Sequence, residues 1–216
     1  MILPFRSADE ISAATEAARS HLAAGGLLAY PTETVYGLGS APTDAGLDQL
    51  AGLKGRPANK PFLLLVSSRE MATAWGLVLN RAASALADAF WPGPLTLVLK
   101  GGEGRLPDRL RGREGGIAIR LTSHKGVRQL ITACGAPLTS TSANRPGGPT
   151  APGAAGIVEL FPEAVTSGQL LVLDGGVLGN VPPSTLVDCT ETEPRLVREG
   201  AIPREELRRA VGRLAP

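Results

Sequence analysis

The sequence is poor in the residues that most often carry metal or covalent chemistry. Its 216 residues include two cysteines and two histidines. Cys134 and Cys189 stand alone, outside any CxxC pair or cysteine–histidine cluster. That argues against a zinc site and reads both as plain thiols, buried or half-buried, in a reducing compartment. His21 falls on a helix surface and His124 just beyond a strand, in a capping or surface position, so a Ser-His-Asp hydrolase fits poorly. There is no GxxxxGK(S/T), so a bound nucleotide would not rest on a Walker P-loop. There is no GxGxxG between a strand and a helix, no GxSxG elbow, no HExxH and no EF-hand loop. Aromatic residues make up 4% of the chain, few for a protein that stacks RNA bases. The apolar run FLLLV at 62–66 has the length of a core strand, far below a membrane span. MILPFRSADE lacks a basic segment followed by a long apolar one, so no secretory signal is expected and the protein reads as cytoplasmic.

What is present describes an ordinary soluble globule. Hydrophobic residues make up 43% and charged residues 19%, and the length suits one domain with a real core. The net charge of +2 permits an anionic ligand or RNA without demanding one. Four lysines stand against eighteen arginines, yet two of the four, Lys54 and Lys60, share the short stretch KGRPANKP. Ser7 to Glu10 reads as a capping box, followed by Ile11, Ala14, Ala18 and Leu22 on one helical face, with Gly25-Gly26 as the stop. Strands are expected at 27–31, 62–66, 95–100, 116–121, entering the loop of APLTSTSAN, and at 170–173, 184–188 and 195–198. Helices are expected around 46–53, 68–75, 80–90, 125–133 and 152–160. Pro203 at a first helical position, with Glu205-Glu206 early and Arg208, Arg209 and Arg213 late, marks a final helix over about 203–214. The pattern predicts an α/β (α+β) domain over residues 1–216, with a twisted mixed sheet flanked by helices and no linker dividing it.

Several polar, glycine-bearing segments fall at strand ends, where ligand sites in open sheets concentrate. They are YPTETVYGLG at 30–39, KGRP at 54–57, WPGPLT at 91–96, Arg120, STSAN with the following GGPT, and Ser184-Thr185 with Arg198 beyond. Converging hydroxyls, amides and cations suit a phosphate-bearing ligand. In WPGPLT the prolines fix the backbone and Trp91 reads as a packed wall.

These motifs, with the IAIR strand and STLVD followed by VREGAI, occur in the order and approximate spacing of the YrdC-like family, and the chain resembles that family from about residue 8 to 200. The resemblance implies a threonylcarbamoyl-AMP synthase in its compact form, without an extra C-terminal domain. Such an enzyme is a nucleotidyltransferase that condenses L-threonine, bicarbonate or CO2 and ATP with release of pyrophosphate, using Mg2+ with the ATP. The product serves threonylcarbamoyladenosine formation in tRNA, with tRNA or a downstream threonylcarbamoyl-transferase complex as partner. The same resemblance implies a concave cationic pocket. In it, Lys54 and Arg56 serve the ATP phosphates, Ser142 and Asn144 form an SxN element beside the nucleotide, and Thr150 and Arg198 are nucleotide contacts. Thr32, Arg120, Ser140 and Ser184 are implied as threonine contacts, Arg120 through its planar fork on the carboxylate. No protein metal ligand is implied.

Three departures from the family pattern are expected to matter. Thr122 stands where a proline is common, which is expected to loosen the turn to His124. Glu199 stands where a proline is common, placing a carboxylate beside Arg198. FLLLV is apolar up to Ser67, so no substrate contact is expected from that strand. A non-catalytic RNA-binding or ribosome-maturation protein is the alternative from another class. A third reading is the carbamoyl-adenylate domain of hydrogenase maturation proteins, but the zinc-binding and acylphosphatase-like parts found beside it there have no room in this chain.

Overall fold

The computed structural model describes residues 1–57, 60–112, 114–179 and 181–215. Ala58 and Asn59 of KGRPANKP therefore lie outside the described residues. Among those described, the chain forms ten strands and eight α-helices. In chain order they are β1 (Ile2–Pro4), α1 (Ala8–Ala23), β2 (Leu27–Tyr30), β3 (Gly37–Gly39), α2 (Asp44–Lys54), β4 (Leu63–Val66), α3 (Arg69–Ala74), α4 (Arg81–Phe90) and β5 (Leu95–Leu99). There follow β6 (Ile117–Leu121), α5 (Lys125–Cys134), β7 (Leu138–Ser142), α6 (Ala154–Leu160), α7 (Pro162–Thr166), β8 (Leu170–Asp174), β9 (Thr185–Asp188), β10 (Arg195–Arg198) and α8 (Arg204–Val211).

Local chemistry sets several of these boundaries. Ser7 Oγ accepts from the Glu10 backbone N–H, and the Glu10 carboxylate accepts from Ser7 N at 2.9 Å, which is the capping box the sequence predicts. His124 caps α5, its Nδ1 accepting from Val127 N at 3.3 Å. His21 is not on an open surface: its Nε2 lies 3.0 Å from the Leu27 carbonyl and 3.2 Å from that of Gln169. Pro203 stands at the N-cap of α8 rather than inside its first turn. β1, β3 and α7 were not anticipated. Each is three to five residues long, too short for its periodicity to register.

The strands form one mixed sheet in the order β1-β8-β2-β3-β7-β4-β6-β5-β9-β10. Side-chain alternation assigns its two faces. Leu27 and Ala29 of β2, Leu64 and Val66 of β4, Leu95, Leu97 and Leu99 of β5, and Ile117 and Ile119 of β6 enter the larger core. α2, α4, α6, α7 and α8 cover that core with Leu47, Leu50, Leu86, Ile157, Ala164 and Leu207, and Trp91 packs into it with its Nε1 donating to the Leu95 carbonyl at 2.8 Å. On the other face Leu28, Tyr30, Leu65, Leu138, Leu171 and Leu173 meet Ala14, Ala18 and Leu22 of α1 and Val127, Leu130 and Ile131 of α5. This second core stops at β4. Beyond it, on β6, β5 and β9, the same face carries Arg120, Thr96 and Leu186, and no residue of these three strands joins that core.

β3 allows the sheet to close on β7. A Cβ on Gly39 would lie 2.1 Å from the Thr139 carbonyl oxygen and 3.0 Å from the Tyr30 ring. Only glycine fits there without moving backbone. Gly39→Ala should cost about 1–3 kcal/mol, as overpacking does, and lower Tm by several degrees in thermal unfolding. An unchanged Tm would show that β3 and β7 can separate freely.

Candidate active site

Past the second core, the same sheet face gathers mostly buried polar groups from neighbouring strands. One row of the register runs through Leu65 of β4, Arg120 of β6, Thr96 of β5, Leu186 of β9 and Arg198 of β10. Ser184 immediately precedes β9, and its Oγ lies 2.8 Å from Thr96 Oγ1. Arg198 Nη2 donates to the Ser184 carbonyl at 2.8 Å. Partial burial, then the nearby Arg120 charge, lowers the pKa of the Arg198 guanidinium. Glu199 does not compete for Arg198. Its carboxylate accepts from Arg204 N at 3.3 Å and caps α8, so the expected interference does not arise. Ser140 and Ser142 continue the face of β7 that Leu138 carries into the second core, Ser140 opposite Leu63 and Ser142 opposite Gly37. As the sequence led one to expect, β4 contributes no polar side chain.

The KGRP segment is built around the end of α2. Gly55 adopts φ 60°, a left-handed conformation that ends the helix and leaves Lys54 as its last residue. Lys54 is 5% exposed. Its ammonium donates to the Ser142 and Asn144 carbonyls, each at 2.5 Å, and to Asn144 Oδ1. Three acceptors match the three protons of an ammonium. Asn144 Oδ1 also accepts from Ser142 Oγ at 2.6 Å, and Asn144 Nδ2 donates to the Gly148 carbonyl at 2.8 Å. Ala151 N donates to the Ala143 carbonyl at 2.8 Å, which closes the loop that carries Thr150. Lys54, Ser142 and Asn144 are thus in one hydrogen-bonded unit, with Thr150 on the same loop.

Arg56 clamps its own turn. Nε donates to the Lys60 carbonyl at 3.0 Å, Nη2 to the Pro61 carbonyl at 2.6 Å and Nη1 to Thr141 Oγ1 at 3.2 Å, while the guanidinium stacks 4.7 Å from the Phe62 ring centroid. Lys60 itself is exposed and enters this turn through its backbone. Lys54, Arg56 and Arg198 take part in no salt bridge among the described residues. Burial, aided by the charges of Arg56 and Lys60, pulls the Lys54 pKa from 10.5 down to about 8.

Arg120 differs. It is buried and paired, its Nη2 lying 2.7 Å from Glu33 Oε1 and donating to Thr34 Oγ1 at 3.1 Å. Glu33 also accepts from the Thr122 hydroxyl. Burial acts to raise the Glu33 pKa, but the Arg120 charge and the hydrogen bonds from Thr122 and Arg120 outweigh it and hold the pKa below the usual carboxylate value. Thr122 does not loosen the turn to His124. Its Oγ1 accepts from His124 N at 3.2 Å and its carbonyl accepts from Arg128 Nη1 at 2.9 Å, so the threonine ties down what a proline would have fixed by φ alone. Thr32 shapes the PTET turn: its Oγ1 donates to the Val35 carbonyl at 2.6 Å and accepts from Thr34 N and Val35 N. The hydroxyl that meets Arg120 is that of Thr34.

Sequence reasoning gave Glu33, Thr34 and Thr96 no role of their own, and Thr122 only that of a loosened turn. The available signal was a lone carboxylate between two threonines in a strand-end motif, which is an expensive place for a charge without a cationic partner. One cavity lies elsewhere. About 150 Å³ between α1 and α5, it is lined by Leu22, Leu130, Ile131, Cys134 and other mainly apolar groups, with Arg19 already paired to Glu16 at 2.6 Å. It offers no convergent donors. Among the described residues no three His, Cys, Asp or Glu side chains cluster, and these residues supply no metal cage of their own. No described helix is long and apolar enough to cross a membrane.

A family model named Sua5_yciO_yrdC and described as "Telomere recombination" matches residues 20–200. A threonylcarbamoyl-AMP synthase of Chromohalobacter salexigens is 40% identical over 188 residues, covering 87% of this chain and 96% of that one. The structure of the H234A/Y235A variant of P. abyssi Sua5 superposes over 100% of this chain with a TM-score of 0.90 and 32% identity, and this chain spans 61% of it. P. abyssi Sua5 complexed with L-threonine gives a TM-score of 0.86 at 33% identity, and this chain spans 63% of it.

The caged lysine makes a direct prediction. In the ligand-free protein the Lys54 side chain should titrate near pH 8 by NMR of its ε-methylene. A midpoint above 10 would contradict the burial described. Because the unfolded chain holds this proton up to about 10.5, unfolding binds protons between pH 8 and 10.5, and the stability penalty from Lys54 is relieved as pH rises through that window.

Proposed function

The chain belongs to the Sua5/YciO/YrdC family, and from that premise we propose that it joins L-threonine, bicarbonate and ATP into threonylcarbamoyl-AMP with release of pyrophosphate. The observation that carries this reading is the lack, among the described residues, of any carboxylate paired with Lys54, Arg56 or Arg198. Three cations solvated by carbonyls and hydroxyls leave a net positive field for phosphates.

The reaction brings two anions together. The threonine amine, once carboxylated, is a carbamate, and its oxygen attacks the α-phosphate of ATP as pyrophosphate departs. Mutual repulsion is a large part of the barrier, and fixed cations in a partly dehydrated site oppose it. Lys54 holds the Ser142–Asn144 turn in register and presents its charge beside it. The remaining donors of Arg56 and Arg198 serve the phosphates, with Ser142 and Thr150 as hydroxyl donors. Arg120 takes the amino-acid carboxylate, with Ser140 and Ser184 beside it and Thr32 shaping the turn above. No side chain needs to form a covalent bond. Magnesium enters with ATP, and these residues add no cage for it. The product is a reactive mixed anhydride, destined for adenosine modification in tRNA through a transferase partner. A non-catalytic RNA binder is less well supported, since the similar C. salexigens protein is named as a synthase.

Incubation with ATP, L-threonine and bicarbonate should release pyrophosphate in a threonine-dependent way, and failure to do so would remove the proposal. Lys54→Ala should lower kcat by about 100-fold or more with an unchanged circular dichroism spectrum. ATP affinity of the wild type should fall as pH rises above about 8, where Lys54 loses its proton, and Lys54→Arg should abolish that dependence. A flat wild-type profile across pH 7–10 would refute a phosphate role for Lys54.

A further inference from the structure

The KGRP turn and the SxN turn hold each other from both sides. Lys54 reaches from the end of α2 to the Ser142 and Asn144 carbonyls. The next residue of the second turn, Arg145, reaches back. Its Nη1 donates to the Leu53 carbonyl at 3.5 Å and its Nη2 to the Leu160 carbonyl at 2.7 Å. The guanidinium lies over the Phe161 ring, 4.7 Å from the centroid. Pro146 then meets the Gly55 turn, where an added Cβ would lie 3.7 Å from the proline Cγ.

Both carbonyls stand at helix ends. Leu53 is in the last turn of α2, and the residue four places on, which would donate to it in a continuing helix, is Pro57, which has no N–H. The Gly55 N–H answers the Ala51 and Gly52 carbonyls but not this one. Leu160 is the last residue of α6, and α7 begins at Pro162. A guanidinium carries its donors in a fixed planar fork, so one arginine serves both helix ends and still lies flat on a ring. Its charge also suits the negative end of a helix.

We propose that Arg145 is a positioning residue for the nucleotide side of the site, bracing loop 144–153 so that Asn144 and Thr150 stay in register with Lys54. This rests on the reading of the site given above. The loop starts beside Arg145 and ends at α6, and Arg145 grips both α6 and the residue next to Lys54, so it ties the loop across its width. Arg120 and Ser184 belong to separate hydrogen-bonded sets, with Thr34, Thr96 and Arg198. Arg145 is exposed, so its truncation leaves no buried charge unpaired and the variant should fold.

Steady-state kinetics and NMR titration of Lys54 on Arg145→Ala and Arg145→Lys test the brace. Arg145→Ala should raise KM for ATP at least about tenfold while KM for threonine stays within about threefold. In the ligand-free variant the Lys54 midpoint should climb from about 8 toward 10.5, as the opened turn admits water to the ammonium. Arg145→Lys keeps the charge but cannot bridge two carbonyls through one fork, so both readouts should move the same way. An unchanged KM for ATP in Arg145→Ala would overturn the assignment. Equal rises in both KM values, with a lower Tm, would mark a general structural role instead. Arg145→Lys matching the wild type in both readouts would show that charge alone matters and that there is no brace. If the wild type releases no threonine-dependent pyrophosphate, the proposed function fails. The brace is then judged by the titration alone, and a midpoint still near 8 in Arg145→Ala refutes it.

Discussion

Successive residues of a strand face opposite sides of a sheet, and that alternation divides this molecule into core and site. On β2, β8 and β4 both faces are apolar, because α1 and α5 cover one and the α2/α4/α6/α7/α8 layer covers the other. On β6 and β5 only one face is fully apolar. The leucines and isoleucines at 95, 97, 99, 117 and 119 bury themselves in the larger core, and the alternate positions carry Thr96 and Arg120. A single-residue slip in β6 would turn Arg120 into the leucine-rich core and Ile119 outward. The burial that stabilises the sheet thus also fixes the direction of the arginine.

The same segments read with different clarity from sequence. Long apolar strands and capped helices were legible, because FLLLV, GIAIRL and the Ser7–Glu10 box carry their own periodicity and donors. The short strand β3 was not, because GLG has no pattern. It exists because Tyr30 and Thr139 leave room for nothing larger than glycine at position 39. Lys54, Ser142 and Asn144 were singled out by their motifs, but not the fact that the lysine holds the SxN turn. Glu33 was invisible for a related reason. A lone carboxylate declares its role only when the arginine it faces, 87 positions away in sequence, is known to lie 2.7 Å from it.

Family departures show how position is kept by other means. Where a proline would lock the residue after β6, Thr122 binds His124, Arg128 and Glu33 at once. Its hydroxyl and carbonyl provide the rigidity and also add an orienting donor that proline lacks. Glu199 likewise turns away from Arg198 to cap α8, leaving that arginine on the Ser184 carbonyl. In both cases the substituted residue hydrogen-bonds the start of the helix that follows.

The two groups of cations follow opposite electrostatic rules. Lys54 and Arg56 are solvated by carbonyls and hydroxyls, which stabilise a cation through dipoles without cancelling its charge. Burial, then repulsion from Arg56 and Lys60, lowers the Lys54 pKa. Arg120 is met by a full carboxylate, so the Glu33–Arg120 pair is neutral as a unit and attracts a polyanion weakly. Under the proposed function, a polyanion would be drawn to the uncompensated cations, and the compensated pair would add little to that attraction.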